Sequence, residues 1–196
     1  MIIVISKEHY DPLEPKIWLQ LLENGLESIH IRKYDLTDME VIQLINSIPM
    51  SFRNALVLHS HHHLANELGI KRLHFNRHLR DSVTKNGIKN YHLSCSVHDI
   101  TEFNSLGSYW DYALLSPVYP SLSKPGYGVN KSVIPQLADR KNQQVSLVGL
   151  SGVNKDNIDN TLQMGFDAVA LLGSIWNSEN PLETFKACLR KILKHV

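Results

Sequence analysis

The chain has 196 residues, 43% of them hydrophobic and 20% charged, with a formal net charge of +1. That balance excludes a broad basic face for nucleic acid and an acidic tail. The two cysteines, Cys95 and Cys188, form no CxxC pair, which excludes a disulfide framework and a cysteine-ligated zinc ribbon. The length predicts one domain over residues 1–196, able to bury a core without cross-links.

The chain opens on an apolar β-branched run, Ile2–Ser6. It is too short to span a membrane and lacks the basic start of a signal peptide, so a cytoplasmic protein is expected. Leu13–Asn24 follows with Ile17, Trp18, Leu21 and Leu22 on one helical face, stopped at Gly25. A second strand is predicted over Ser28–Lys33. Thr37–Ile48 opens with Thr37 and Glu40 at capping-box spacing. Strands at Ala55–Ser60 and Arg72–Phe75 flank a short helix at His62–Leu68, and Asn76–Asn90 has poor periodicity. Strands at Tyr91–Val97, Tyr112–Val118, Ser146–Leu150 and Ala168–Gly173 alternate with helices at Asp99–Leu106, Lys131–Arg140, Asn154–Met164 and Leu182–Val196. Lys191, Lys194 and His195 suit the last helix's C-terminus. Near-continuous apolar strands, each followed by a connection, predict a compact single-domain (β/α)8 TIM barrel of about 24–25 residues per unit. The rival is an open doubly wound sheet, but no GxGxxG follows the first strand.

In such a barrel the chemistry sits at the C-terminal strand ends. After the second strand, His30, Arg32 and Tyr34 share one direction and Lys33 opposes them. An inward arginine needs an anion or a carboxylate partner. After the sixth strand comes a long polar loop in which Ser121, Ser123 and Lys124 stand among glycines and prolines, a pattern suited to phosphate. The glycines and location of the Ser121–Gly128 segment permit a lid, which the sequence alone does not decide. After the seventh and eighth strands, Ser151-Gly152 and Gly173-Ser174 put small residues where barrels frequently hold phosphate.

Histidine is over-represented: 11 residues, five of them between His59 and His74. His59 and His61 form an HxH pair at the third strand's end, with Asp35 and Asp81 the nearest carboxylates in sequence. His30, His59, His74 and His98 all fall near strand ends and are expected around the barrel mouth.

Taken together, these segments resemble the thiamine phosphate synthase and thiazole tautomerase family over nearly the whole chain. Ile29-His30-Ile31-Arg32 resembles its strand-two motif, Ser94-Cys95-Ser96-Val97-His98 its strand-five motif, and Ser116-Pro117-Val118-Tyr119-Pro120-Ser121-Leu122-Ser123-Lys124 its most specific segment. Ser151-Gly152-Val153 and Gly173-Ser174-Ile175 stand where the family has its last two small-residue motifs. The resemblance implies a thiamine-biosynthetic transferase that condenses a hydroxymethylpyrimidine diphosphate with a thiazole phosphate and releases diphosphate with the help of Mg2+. Arg32 and Lys124 would hold diphosphate, with Ser121 and Ser123 beside it. Ser151, Gly152, Gly173 and Ser174 would hold the thiazole phosphate.

The chain departs from the family at the metal. His59-Ser60 stands where the synthases carry Asn-Asp, no second aspartate occurs near Phe75-Asn76, and Tyr34 replaces a lysine. Magnesium prefers oxygen donors, so no confident metal ligand is assigned. Pro117 stands where the tautomerases carry a histidine. Three readings follow: a synthase with a degraded magnesium site; a thiazole-phosphate tautomerase or non-transferase binding protein using His30, His59 or His98 to move a proton; and a metal-dependent hydrolase using His59 and His61. Partners are expected to be small phosphorylated molecules, with neither nucleic acid nor membrane, in a possible homo-oligomer.

Overall fold

The computed structural model describes residues 1–83, 88 and 90–193. Eight strands, β1 (Ile2–Ile5), β2 (Ser28–Ile31), β3 (Leu56–Leu58), β4 (Arg72–Phe75), β5 (His92–Val97), β6 (Tyr112–Leu115), β7 (Ser146–Leu150) and β8 (Ala168–Leu171), run in sequential order around a closed barrel. Every pairing is parallel, and β8 returns to β1 with Val4 opposite Leu171. Seven α-helices accompany them: α1 (Glu14–Glu23), α2 (Asp38–Asn46), α3 (Arg77–Arg80), α4 (Ile100–Asn104), α5 (Ile158–Gln163), α6 (Gly173–Trp176) and α7 (Pro181–Leu193) among the described residues. None is long and apolar enough to cross a membrane.

Strand alternation sorts the side chains into two layers. Ile29, Ile31, Leu56, Leu58, Leu73, Leu93, Cys95 and Val97 point outward into the main core, against Trp18, Leu21 and Ile45 of α1 and α2. Ile3, Ile5, Leu114, Val148, Ala168 and Ala170 fill the inside of the barrel on the β6–β1 side. The β2–β5 side of the interior is polar: Ser28, His30, His59, His74 and Ser94 are all buried. β2, β4 and β5 therefore alternate, while β3 is apolar and places His59 just beyond its end. The polar half of the interior is the main departure from the expected pattern.

The Thr37–Glu40 capping box forms in both directions and starts α2 at Asp38. Gly25, at φ +92°, ends α1 in the conformation glycine adopts most easily. Lys33 leaves the barrel wall outward and meets Glu14 of α1 at 2.6 Å, with both side chains sealed from solvent.

Several elements are shorter than expected. The third strand ends at Leu58, the sixth at Leu115 and the eighth at Leu171, where Gly173 opens the unforeseen α6. In place of the helix over His62–Leu68 there is one 3-10 turn, His62–Leu64. Its His61 and His62 rings bond backbone carbonyls of Leu36, Leu58 and His74 instead of lying along a helix face. The Lys131–Arg140 helix is a 3-10 segment over Ile134–Asp139, because Pro135 supplies no backbone N–H. Asn154 makes a turn with Asp156 and Asn157, so α5 begins at Ile158. The irregular stretch after Phe75 contains α3, capped by Asn76. Within it, residues 84–87 and 89 lie outside the described residues, as do Lys194, His195 and Val196 of the last helix.

Candidate functional site

At the C-terminal ends of the strands the barrel opens into a cavity of roughly 530 Å³. Position follows from topology, since in a parallel barrel these ends carry the connecting loops and their exposed backbone groups. The cavity gathers Arg32, His98, Ser121, Ser123, Lys124, Ser151, Gly152, Gly173 and Ser174 in its wall. His30 and Ser60 are not part of that wall. His30 is fully buried beneath it, and Ser60 turns away to donate to the Lys33 carbonyl at 3.0 Å. The expected ring of mouth histidines is thus divided: His98 is exposed at the rim, His59 and His74 form the floor, and His30 lies below.

The cationic side of the cavity is built by β2 and the loops. Arg32 makes a two-pronged pair with Glu8, both N–H···O distances being 2.9 Å. Burial raises the Glu8 carboxyl, but the Arg32 hydrogen bond and charge, together with Lys124, outweigh it and hold the pKa below its ordinary value. Glu8 therefore stays ionised and occupies the arginine fork, the geometry that also grips phosphate. Arg77, at the start of α3, lines the same wall and pairs with Glu102 at 2.7 Å.

The loop after β6 lies down across the ends of β7 and β8. Ser151 Oγ donates to the Tyr119 carbonyl at 2.8 Å, and Asn177 donates to the Leu122 carbonyl at 2.8 Å. Ser121 Oγ accepts from the backbone N–H of Ser123 and of Lys124, which orders the turn bearing the lysine. A Cβ at Gly152 would stand 2.4 Å from the Pro120 carbonyl oxygen, and one at Gly173 would stand 2.8 Å from Leu122 Cβ. These glycines admit the loop backbone. Beside them the Ser174 hydroxyl is buried without a hydrogen-bond partner. Such a group is uncommon and calls for a partner.

The floor is a histidine network drawn from adjacent strands. His30 Nδ1 and His59 Nε2 share a hydrogen bond of 2.8 Å, and His30 Nε2 meets the Tyr112 hydroxyl at 2.7 Å. His74 bonds Ser94 and Ser96, each at 2.9 Å, and stacks on His59 with ring centroids 4.1 Å apart. Burial, with the neighbouring imidazoles, holds His30 and His59 well below the ordinary histidine value and His74 at about 3, so all three are neutral. Ser94, Ser96 and Tyr112 were not foreseen as site residues, and His74, expected at the mouth, lies in the floor. The signal was the alternation Arg-Leu-His-Phe in β4 and His-Leu-Ser-Cys-Ser-Val in β5, which sends every second polar side chain inward.

One metal expectation, the His59–His61 pair, is corrected by this arrangement. His59 and His61 do not face one site: His59 joins the floor, while His61 bonds Ser60 and the Leu36 carbonyl. Asp35 and Asp81 pair with His9 and Arg80 instead. Magnesium needs near-octahedral oxygen donors, usually with a carboxylate. Among the described residues no aspartate or glutamate lines the cavity, so its side chains do not fit a protein-held magnesium ion.

A family model described as thiamine monophosphate synthase matches residues 2–175. The thiamine-phosphate synthase of Staphylococcus saprophyticus is 25% identical over 66% of this chain and 62% of its own length. That of Bacillus velezensis is 26% identical over 58% of this chain and 50% of its own. The chain thus spans between half and two thirds of these curated relatives. The thiamine phosphate pyrophosphorylase structure from Bacteroides thetaiotaomicron superposes with a TM-score of 0.79 at 25% identity, covering 100% of this chain and 98% of that one. The Pyrococcus furiosus thiamine phosphate pyrophosphorylase gives 0.80 at 17% identity, over 98% and 95%, a likeness of fold.

Proposed function

The chain belongs to the thiamine monophosphate synthase family, and from that premise we propose that it condenses a hydroxymethylpyrimidine diphosphate with a thiazole phosphate. The observation that carries this reading is the unpartnered, buried Ser174 hydroxyl beside Ser151, Gly152 and Gly173 at the cavity wall. An anionic ligand there would complete the hydrogen bonding that the protein leaves open. Arg32, Arg77 and Lys124 supply positive charge in the same cavity wall, where the diphosphate would lie. In the reaction a C–N bond forms from the thiazole nitrogen to the pyrimidine methylene carbon as the C–O bond to diphosphate breaks. The diphosphate leaves with the electron pair, and no proton changes hands. What the protein must supply is charge stabilisation of the leaving group and exclusion of water, which fixed cations and a settled loop provide.

Diphosphate must compete with Glu8 for the Arg32 fork. Lys124 reaches it only while the loop after β6 stays seated, Tyr119 and Pro120 on Gly152 and Leu122 on Gly173. The test is direct: incubate both substrates and quantify thiamine phosphate and diphosphate by chromatography. The reading expects equal amounts of the two products and at least a tenfold slower rate in Lys124→Ala. No product at stoichiometric enzyme contradicts it.

A second reading, a thiazole-phosphate isomerase, rests on the placement of His59 and His74 in the cavity floor, where an imidazole can relay a proton. Deuterium incorporation from heavy water into thiazole phosphate alone, lost in His59→Ala, would establish it in place of the transferase.

A further inference from the structure

We propose that the floor of the cavity, formed by His30, His59 and His74, is a binding site for a late divalent transition metal, zinc foremost. The three imidazoles come from β2, the residue after β3, and β4, and all are directed into the barrel. One ring nitrogen from each lies within 4.8 Å of the others. They are the group of three that meets this spacing among the described residues.

Three observations favour a metal over filler. The opposite half of the interior is packed with Ile3, Ile5, Leu114, Val148 and Ala170, so the fold has no need of imidazole to fill space. Further partners hold the rings: Tyr112 on His30 Nε2, Ser94 on His74 Nδ1 and Ser96 on His74 Nε2, one of the two serine bonds giving way when His74 takes the ion. This is the arrangement that orients metal-ligating histidines and sets their tautomers. Finally, His59 and His74 border the cavity, so an ion held by three nitrogens would turn its fourth position toward solvent and substrate. Three protein ligands with one open position is the pattern of reactive zinc sites.

The donor set also selects the ion. Nitrogen ligands with no carboxylate on the wall suit zinc, cobalt or nickel and disfavour magnesium and calcium. Tetrahedral ligation at about 2.0–2.1 Å sets nitrogens roughly 3.4 Å apart. The His30–His59 pair, now 2.8 Å apart, would open by about half an ångström, and wider pairs would close. His59 and His74 border open space, which gives their rings room to turn. With three neutral ligands the ion keeps its full charge, so the open position favours an anionic oxygen such as one of a phosphate or diphosphate. The proposal rests on the histidine geometry and stands independently of the transferase reading.

The test uses the whole chain without a histidine tag. After removal of metal with a chelator, the protein is equilibrated with zinc, passed over a desalting column and analysed for metal. About one equivalent of zinc per chain is expected, unchanged by excess magnesium. His59→Ala and His74→Ala should lose it, while His61→Ala and His63→Ala, which alter the neighbouring histidines near Asp38, should retain it. Should a floor variant fail to fold, cobalt added to the intact protein decides: four-coordinate cobalt gives an intense visible absorption band. Little zinc after desalting, zinc retained by folded floor variants, or an octahedral cobalt spectrum would each overturn the site and leave a hydrogen-bonded imidazole network. None of these measurements involves substrate, so their failure would not touch the condensation assay.

Discussion

Replacing Gly152 with alanine should damage the site through the loop that rests on it. Gly152 has φ +66°, and a Cβ there would lie 2.4 Å from the Pro120 oxygen and 2.6 Å from Tyr119 Cβ. Ordinary contact begins near 3.4 Å, so the Tyr119–Pro120 backbone must retreat by about an ångström. Left-handed backbone costs alanine about 1–2 kcal/mol, and overpacking adds roughly 1–3 kcal/mol. Gly126 separates the two effects. It lies in the same loop at φ +81° with nothing within 4 Å of its Cβ position. Urea unfolding should therefore show about 1–2 kcal/mol lost in Gly126→Ala and roughly 2–5 kcal/mol in Gly152→Ala. If the loop lifts instead, the stability difference shrinks but thiazole phosphate affinity falls at least tenfold by calorimetry. Equal stability in the two variants, with affinity unchanged in Gly152→Ala, would refute the claim that this glycine seats the loop.

Other expectations follow from the charged groups. Lys33→Met strands the sealed Glu14 carboxylate and should cost about 3–5 kcal/mol, largely recovered in the double variant with Glu14→Leu; an undiminished melting temperature in the single variant would contradict this. Since burial already raises the Glu14 pKa, the deficit of Lys33→Met should narrow as pH falls from neutrality and the carboxyl takes up a proton. Glu8→Gln frees the Arg32 fork and should tighten inorganic diphosphate binding several-fold by titration calorimetry; weaker binding would argue that Glu8 positions Arg32 rather than competing for it. The floor histidines, His74 with a pKa of about 3, bind protons in the unfolded chain before the folded one. The contribution of each is complete above the unfolded value near 6.5 and is lost as pH falls below it, for His74 down to about 3, at up to roughly 1.4 kcal/mol per pH unit. Unfolding free energies measured from pH 7 to pH 5 should show net uptake of more than one proton, and a flat profile would contradict the buried, neutral assignment.

The barrel was legible because each unit carries its own local signals. The Thr37–Glu40 box, Gly25 and the β-branched runs act within a few residues, and their count matched a closed sheet. Elements failed where side chains reached beyond their own segment. His61 and His62 spend their rings on carbonyls of Leu36, Leu58 and His74, and a helix is lost that periodicity alone would allow. The strand-end positions of Arg32, Lys124, Ser151 and Gly173 could be read from topology. What fills the Arg32 fork could not, since Glu8 is 24 residues away and nothing local marks the pair. The floor cluster was hidden by counting histidines near strand ends instead of following which of them alternate inward. His30, His59 and His74 do so and assemble, whereas His61, His63 and His98 stay outside.

In the proposed reaction the ends of β7 and β8 receive the phosphate of a thiazole phosphate. Titration calorimetry of the intact protein with thiazole phosphate and with the corresponding dephosphorylated thiazole alcohol tests this most directly. We expect the phosphate ester to bind at least a hundredfold more tightly, with that preference reduced about tenfold or more in Ser174→Ala as the buried hydroxyl is removed. Equal affinity for the two compounds, or a preference untouched by Ser174→Ala, would contradict it.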